Sequence, residues 1–297
     1  MFVKVGDVRL FFDVEGAKLV PNGPIMRERS TLLLLHGGPG LDHSWFRPAF
    51  SAFSEMAQVV YLDQRGHGRS DRSTPERWSL AQWADDVRGF CDAVGIERPI
   101  VLGTSFGGYV AMAYAIRYPD HPAKLILVST ALRGTGNPVR RKRVLEAFER
   151  FGGVEAREAM RRAFDDRSPE SYGEFRRVCG PLYTTRPLNP DAARRVIKSE
   201  EVLPFFESPD GEGVTFDYSA ELWRVHCPTL IMAGETDPMT PVSEMQEILN
   251  ALPEGVGRLE RFPGCGHGVW RDDPERAFRV ITEFLSCERH LERAENP

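Results

Sequence analysis

The sequence has no excess of positive charge. Among 297 residues, 38 lysines and arginines are outnumbered by 43 aspartates and glutamates, which gives a net charge of -5. Without a general positive field, the chain has no electrostatic basis for binding nucleic acid or an anionic membrane surface. We therefore expect neither of these as a partner, and we expect a small molecule as the substrate. The sequence leaves the oligomeric state open.

Long hydrophobic runs and clustered cysteines are missing as well. The longest aliphatic run, residues 32–35, is far shorter than the roughly 20 residues that a helix needs to cross a bilayer. Residues 1–7 include an acidic side chain and no apolar stretch, so we expect no signal peptide. The 5 cysteines lack the spacing of a metal site or a disulfide framework, which indicates reduced thiols and a cytoplasmic protein without a bound metal.

Short apolar runs punctuate most of the chain. Residues 2–5 and 8–14 predict an N-terminal β-hairpin, and residues 18–29 predict a surface loop. Continuous apolar runs, as in strands that are buried on both faces of a parallel sheet, follow at 31–35, 59–62, 99–102, 125–128 and 229–233.

Helical patterns lie between these runs. Residues 79–94 begin with Ser79 and Gln82 in capping-box spacing, and further helices are predicted at 106–118 and 274–287. Strands that alternate with helices predict an α/β fold with a mostly parallel, doubly wound sheet.

The alternation stops between about residues 133 and 222. This segment is rich in arginine and glutamate, and its short apolar spacings predict several amphipathic helices joined by proline-containing loops. Because the segment is inserted between two predicted strands, we expect a helical cap at 133–222. The core is then formed by residues 1–132 and 223–297.

A G-x-S-x-G motif at residues 103–107 lies between a predicted strand and a predicted helix. This is the context in which a nucleophile elbow presents its serine on a sharp turn. Glycines on both sides of Ser105 lack side chains, so the neighbouring segments can pass close together. We therefore predict that Ser105 is a nucleophile, which needs a base to remove its proton. An ordinary glycine-rich turn with a solvated serine is the alternative.

The base is expected downstream, because the order in this kind of site is serine, acid, histidine. His121 lies in a proline-flanked loop, His226 precedes a strand, and His290 lies in a charged tail. His267 lies instead in a glycine-rich loop that follows a short predicted strand. An imidazole, with an ordinary pKa of about 6.5, suits a general base at neutral pH. We therefore predict that His267 is the base.

Two further features complete the predicted site. Asp237 follows the strand predicted at 229–233, at the carboxyl edge of the sheet where ligand sites gather. We predict that Asp237 orients the histidine; Glu235 is the neighbouring alternative, and a turn-forming aspartate is the structural one. The backbone N–H groups of Phe106 and Gly38 are expected to form the oxyanion hole.

These motifs together resemble the motif series of the α/β hydrolases over about residues 30–131 and 223–287. The loop at 36–40, HGGPG, and the segment at 63–70, DQRGHGRS, are most similar to the proline iminopeptidase branch. The resemblance implies the α/β-hydrolase fold and a serine hydrolase without a metal or organic cofactor. It makes the segment at 63–70 a scaffold turn.

Two positions depart from that branch. Phe106 stands where proline iminopeptidases usually have Trp or Tyr, and Pro238 stands where some carry a glutamate that holds the substrate's ammonium group. The cap glutamates Glu200, Glu201 or Glu221 could replace it, or could simply be solvated. Similar loops also occur in relatives that cleave esters, lactones or carbon–carbon bonds, so the substrate stays open.

Aromatic residues of the cap could form the walls of a pocket. We expect Phe205, Phe206 and Trp223 to bind substrate, with packing in a hydrophobic core as the alternative. Cys265, two residues before His267, is expected near the triad, where thiol reagents would block activity.

The sequence thus predicts a two-step acyl transfer. Ser105 attacks a carbonyl while His267 takes its proton and Asp237 holds the imidazole, and water then releases the acid. The first substrate class is a small ester, lactone or amide with an apolar acyl group, and N-terminal proline peptides are the alternative. A small-molecule receptor on a hydrolase scaffold, with negligible turnover, is the alternative from another class. Because the base must be neutral, activity should fall below a pH of about 6.

Overall fold

The computed structural model describes residues 1–187 and 190–287. Within these residues the strands are β1 (Phe2–Val5), β2 (Val8–Glu15), β3 (Leu19–Asn22), β4 (Ile25–Glu28), β5 (Thr31–Leu35), β6 (Gln58–Leu62), β7 (Ile100–Thr104), β8 (Lys124–Val128), β9 (Thr229–Gly234) and β10 (Gly257–Phe262). The helices are α1 (Leu80–Val94), α2 (Phe106–Arg117), α3 (Pro138–Asp165), α4 (Pro169–Val178), α5 (Pro190–Arg195), α6 (Val202–Phe206), α7 (Glu212–Thr215), α8 (Val242–Ala251), α9 (Val269–Asp272) and α10 (Pro274–Ser286). None of these helices is long and apolar enough to cross a membrane.

An eight-stranded, mostly parallel sheet forms the centre of the protein, in the order β1-β2-β6-β5-β7-β8-β9-β10. The hairpin of β1 and β2 is antiparallel and joins β6 antiparallel, whereas the strands from β6 to β10 run parallel. The predicted α/β fold and N-terminal hairpin are confirmed. Because the strands from β5 to β10 run the same way, their carboxyl ends share one edge of the sheet, where ligand sites of such folds lie.

The prediction of a surface loop at residues 18–29 was wrong, because the structure contains a second hairpin there. β3 and β4 pair antiparallel apart from the main sheet, with Asn22 opposite Ile25. Gly23, which follows Asn22 in the turn, has a φ of +62°. An Asn-Gly pair favours such a turn because both residues tolerate positive φ. The two short, largely exposed strands lack the apolar alternation that would have identified them.

The central strands bury side chains on both faces, as their continuous apolar runs predict. In β5, Leu33 and Leu35 pack in the cluster that contains α1 and α2, whereas Leu32 and Leu34 pack in the cluster that contains α10. The Ser79 hydroxyl accepts a backbone hydrogen bond of 3.1 Å from the first turn of α1, as the capping-box spacing predicts. Helix α8 occupies a segment for which we predicted no element.

The segment between β8 and β9 holds helices α3 to α7 and a small hydrophobic cluster of its own around Phe148. Its two ends meet, because Arg133 pairs with Asp217 in an antiparallel bridge. We refer to this segment, residues 133–222, as the cap and to the rest of the chain as the core. Residues 288–297, the last part of the core expected from the sequence, lie outside the described residues, as does His290.

Candidate active site

Ser105 lies on a sharp turn between β7 and α2, at the carboxyl edge of the sheet. Its φ and ψ are +51° and -118°, a strained conformation for a residue with a side chain. The flanking glycines are required by space: a Cβ at Gly103 would collide with the carbonyl of Gly107, and one at Gly107 with the carbonyl of Leu35. The backbone N–H of Ser105 donates to Val128 at 2.9 Å, which ties the turn to β8.

His267 and Asp237 form a hydrogen-bonded pair at the ends of β10 and β9. The imidazole Nδ1 lies 2.8 Å from Oδ2 of Asp237, whose side chain is buried. The other oxygen of Asp237 accepts hydrogen bonds from the backbone N–H groups of Met239 at 2.8 Å and Thr240 at 2.9 Å. Glu235, the alternative acid, pairs instead with Arg261 at 2.8 Å.

Opposing effects act on the pKa of the Asp237 carboxyl. Burial, the largest of them, would raise it by penalising the charged form. The neighbouring His267 and the hydrogen bonds from His267 and Thr240 favour the carboxylate, and together they hold the pKa of Asp237 below its ordinary value. The site therefore keeps an ionised acceptor behind the imidazole ring, which suits the orienting role in a triad.

Ser105 and His267 line the same cavity, which has a volume of about 660 Å³ and also contains Gly38 in its wall. Gly38 has a φ of +131°, and a Cβ there would come within 2.8 Å of the backbone nitrogen of Gly40. Phe106 is the first residue of α2, so its N–H is one of the donors that a helix leaves without an internal partner. Its ring is buried against Trp83, with the ring centroids 4.9 Å apart.

The segment at 63–70 supports the loop that contains Gly38. The backbone N–H of Gln64 donates to His36 Nε2 at 3.2 Å, and the Gln64 side chain donates to the His36 carbonyl at 3.1 Å. Arg65, buried beneath, forms a bidentate pair with Asp86, with both N–O distances 2.7 Å. These contacts support the scaffold role that the resemblance implies for this segment.

Three buried residues, Asp42, His43 and Asp63, place potential metal-ligand atoms within 4.8 Å of one another. Their atoms are engaged in protein contacts: Asp63 Oδ1 lies 2.6 Å from His43 Nδ1, and its Oδ2 accepts from the backbone N–H of Arg69 at 2.9 Å. Asp42 accepts hydrogen bonds from Ser44 and from the Arg69 guanidinium. We therefore interpret the cluster as part of the scaffold.

A segment of the cap holds the loop that carries His267. The backbone N–H of His267 donates to the carbonyl of Tyr183 at 2.7 Å, and the two rings pack edge to face with centroids 5.0 Å apart. The buried carboxylate of Asp272 accepts from the backbone N–H of Gly266 at 2.7 Å and from that of Thr185, in the cap, at 3.1 Å. The sequence analysis missed Asp272, whose only signal is its position five residues after His267.

The structure does not bring Phe205, Phe206 or Trp223 into the cavity wall. Phe205 packs edge to face on Trp78, and Phe206 is buried against Phe106. Trp223 is 61% exposed. The prediction that these three residues contact the substrate was therefore wrong. Helix α6 instead contributes Leu203 and Pro204 to the cavity wall. The apolar part of the wall also includes Tyr172, Phe175 and Tyr183.

Of the three cap glutamates considered in the sequence analysis, one lies in the cavity wall. Glu200 lies in the cavity wall, whereas Glu201 pairs with Arg72 at 3.2 Å and Glu221 is not part of the wall. Glu207, which the sequence analysis missed, lies in the wall and accepts a hydrogen bond of 3.0 Å from the hydroxyl of Thr135. Burial raises the pKa of the Glu207 carboxyl in spite of nearby arginines. Glu207 lies four residues after Leu203, and residues at this spacing share one face of a helix. This spacing was the available signal in the sequence.

Cys265 lies near the triad, since its carbonyl accepts a hydrogen bond of 2.9 Å from the backbone N–H of Thr236, but it is not part of the cavity wall. Its side chain is buried in the hydrophobic cluster that contains α10. Burial, together with nearby aspartates, raises the pKa of the Cys265 thiol to about 11. Because the thiolate is the reactive form, this thiol is a poor target for modification.

The strained turn at Ser105, the paired His267 and Asp237 beyond neighbouring strands, and the helix-covered parallel sheet are together typical of α/β hydrolases. The chain belongs to this family: the model of the alpha/beta hydrolase fold family matches residues 30–274.

Individual relatives agree with this membership. The chain is 30% identical to the proline iminopeptidase PfmaB of Pestalotiopsis fici, over 93% of this chain and 98% of the relative. It is 28% identical to the putative carbamate hydrolase RutD of Caulobacter sp. (strain K31), over 93% and 97% of the two chains. Among solved structures, the proline iminopeptidase of Mycobacterium smegmatis superposes with a TM-score of 0.76 at 24% identity, over 96% of this chain and 97% of that one.

Proposed function

We propose that this protein is a serine hydrolase with Ser105 as nucleophile, His267 as general base and Asp237 as the residue that orients the base. One observation carries the proposal: Ser105, on its strained turn, and His267, hydrogen-bonded to a buried carboxylate, line one cavity. Membership of the α/β-hydrolase family supports it, as do relatives that are named as hydrolases and peptidases.

The chemistry follows from this arrangement. His267 Nε2 removes the proton of the Ser105 hydroxyl while the oxygen attacks the substrate carbonyl. The N–H groups of Gly38 and Phe106 stabilise the resulting oxyanion. Collapse of the tetrahedral intermediate expels the leaving group, which receives the proton from His267. A water molecule, deprotonated by His267, then attacks the acyl-enzyme; the bond to Ser105 breaks, the Ser105 oxygen takes the proton back from His267, and the acid is released.

The substrate class we favour is a small ester, lactone or amide. The cavity wall is largely apolar, and its volume of about 660 Å³ suits a small organic molecule. The test compares hydrolysis of a short-chain p-nitrophenyl ester by the wild type, Ser105→Ala and Ser129→Ala. Ser129 is a matched control, because it follows the neighbouring strand, also has positive φ (+47°) and is not in the cavity wall. Loss of turnover only in Ser105→Ala is expected; equal turnover in all three proteins would refute the proposal.

Release of N-terminal proline from peptides is the second candidate, favoured by a specific observation. Glu207 and Glu200 lie in the cavity wall, where a carboxylate could hold the ammonium group of such a substrate. Under this alternative, proline p-nitroanilide is cleaved by the wild type, and Glu207→Gln raises KM for the anilide more than for the ester. Ester turnover without anilide cleavage would rule this candidate out. Tight ligand binding with no turnover of either would favour the receptor alternative.

A further inference from the structure

A partly buried arginine, two of whose nitrogen atoms are buried without a hydrogen-bond partner, lies beside the candidate triad. Arg271 follows His267 by four residues and lines the same cavity as His267 and Ser105. Its Nε and Nη1 atoms are buried and have no hydrogen-bond partner among the described residues. Such nitrogen atoms are costly to bury unsatisfied, and the cost is larger for a charged group.

The guanidinium group of Arg271 is held by aromatic rings. Its central carbon lies 4.8 Å from the ring centroid of Trp45 and 5.3 Å from that of Trp270. Cation–π contacts of this kind fix the position of the charge but leave the N–H groups in the plane of the guanidinium free for an acceptor. The group is also pressed against the backbone of Gly268, where a Cβ would collide with it.

Nearby carboxylates are already engaged. Asp272 uses its two oxygens for the backbone N–H groups of Gly266, Thr185 and Arg186. Burial lowers the pKa of Arg271 to about 10, against the opposing effect of Asp272 and Asp237, so the guanidinium keeps its charge at neutral pH.

Arg65 shows what a partnered buried arginine looks like in the same protein. It is more deeply buried than Arg271, with 1% of its side chain exposed, and its guanidinium is fully matched. It binds Asp86 at 2.7 Å and Asp7 at 2.9 Å. Arg271 instead contacts two aromatic rings and the backbone of Gly268, which leaves two of its nitrogen atoms for an acceptor in the cavity.

Basic side chains outnumber acidic ones in the cavity wall. Among the described residues, the wall carries the basic side chains of Arg167, Arg176, Lys198 and Arg271 against the acidic Glu200 and Glu207. Burial raises the pKa of the Glu207 carboxyl, so the surroundings favour its neutral form. A cavity with an excess of cations concentrates anionic substrates.

We propose that Arg271 is a carboxylate-binding subsite, so that the preferred substrates are esters, lactones or amides that carry a second, free carboxylate. This inference rests on the proposed function, because it concerns the substrate of the same cavity. The free carboxylate pairs with the guanidinium and does not react, while the carbonyl carbon of the other group is placed for attack by Ser105. Arg271 is thus a specificity-determining residue.

The first test compares two esters that differ mainly in charge, monomethyl adipate and methyl hexanoate, with wild type, Arg271→Gln and Arg276→Gln. The measured quantity is the ratio of kcat/KM for the charged ester to that for the neutral ester. We expect a wild-type ratio of about ten or more, which falls at least about tenfold in Arg271→Gln, as for loss of a charge-assisted hydrogen bond. Arg276 lies outside the cavity wall and stacks on Phe262, so Arg276→Gln should keep the wild-type ratio.

A wild-type ratio below one would overturn the inference, even if Arg271→Gln failed to fold. An unchanged ratio in Arg271→Gln would also overturn it. A merely structural role predicts a lower melting temperature and an equal loss for both esters. Arg271→Lys, which keeps the charge but loses the planar fork, should retain part of the preference.

A binding measurement separates this inference from the proposed function. Adipate is titrated into Ser105→Ala, and tryptophan fluorescence reports binding because Trp45 and Trp270 flank the guanidinium. We expect a fluorescence change whose Kd rises at least about tenfold when Arg271→Gln is added. Adipate binding that depends on Arg271, without ester turnover by the wild type, would keep the subsite and refute the hydrolase. Ester turnover without a preference for the charged ester, and without adipate binding, would keep the hydrolase and refute the subsite.

Discussion

The backbone N–H of His267 donates a hydrogen bond of 2.7 Å to the carbonyl oxygen of Tyr183. A residue of the cap thereby holds the loop that carries the candidate base. Asp272 adds to this connection, because its carboxylate binds the histidine loop on one side and the cap segment of Thr185 and Arg186 on the other. These hydrogen bonds tie the loop that carries the imidazole to the cap segment at residues 183–186.

Loss of the Asp272 carboxylate should therefore affect both stability and catalysis. Asp272→Ala leaves the N–H groups of Gly266 and Thr185 without their buried acceptor, which costs about 1–3 kcal/mol for each group that stays unsatisfied. We expect a lower free energy of unfolding in urea and a drop in kcat of about tenfold or more, because the imidazole loses its support. Glu275→Ala, at an exposed position nearby, is the control and should change neither. Equal behaviour of the two variants would show that the connection has no role.

The glycines at the nucleophile turn should tolerate no side chain, unlike a glycine elsewhere. In Gly107→Ala the new Cβ meets the carbonyl oxygen of Leu35, so the strand or the turn must shift. We expect a loss of stability of about 1–3 kcal/mol together with a loss of activity. Gly173→Ala, inside α4 with free space around it, should instead stabilise the protein by about 0.5–1 kcal/mol. Thermal unfolding of both variants decides whether space or helix propensity governs each site.

The lowered pKa of Asp237 predicts how the stability of the protein depends on pH in acid. The folded protein holds this pKa below its ordinary value of 3.8, so folding favours the carboxylate. The resulting stabilisation is fully present above the unfolded-state pKa and is lost as the pH falls through the folded-state pKa. The difference in unfolding free energy between wild type and Asp237→Asn should thus be constant above a pH of about 5 and shrink below about 4. A difference that grows towards low pH would contradict the assigned direction.

Thiol chemistry should spare the candidate site. Cys287 is exposed, whereas Cys265 is buried and burial raises its pKa to about 11. Iodoacetamide at pH 8 should therefore label Cys287 first and leave Cys265 and the ester hydrolysis intact. Peptide mass spectrometry, with activity assayed on the same samples, tests this. Labelling of Cys265 in the folded protein, with parallel loss of activity, would restore the expectation drawn from the sequence.

Much of the fold was predictable from the sequence, because the signals that define it are local. The apolar run of β5 predicts burial on both faces, and Ser79 predicts where α1 begins; the structure confirms both. The glycines around Ser105 reflect the close approach of backbone segments, which a sequence motif records directly. The β3–β4 hairpin was not predicted, because its strands are short and exposed, although the Asn22-Gly23 pair was a usable signal.

The sequence by itself determined the α/β order of elements and the candidate residues Ser105 and His267, because hydrophobic periodicity and turn glycines act over a few neighbouring residues. Only the tertiary structure decided that Asp237, rather than Glu235, contacts the imidazole, since that choice depends on how two loops meet across the sheet edge. The tertiary structure also decided the cavity wall. The packing of the cap against the core buries Phe206 in the hydrophobic core. It also places Arg271 beside two indole rings, with two buried nitrogen atoms that have no acceptor among the described residues.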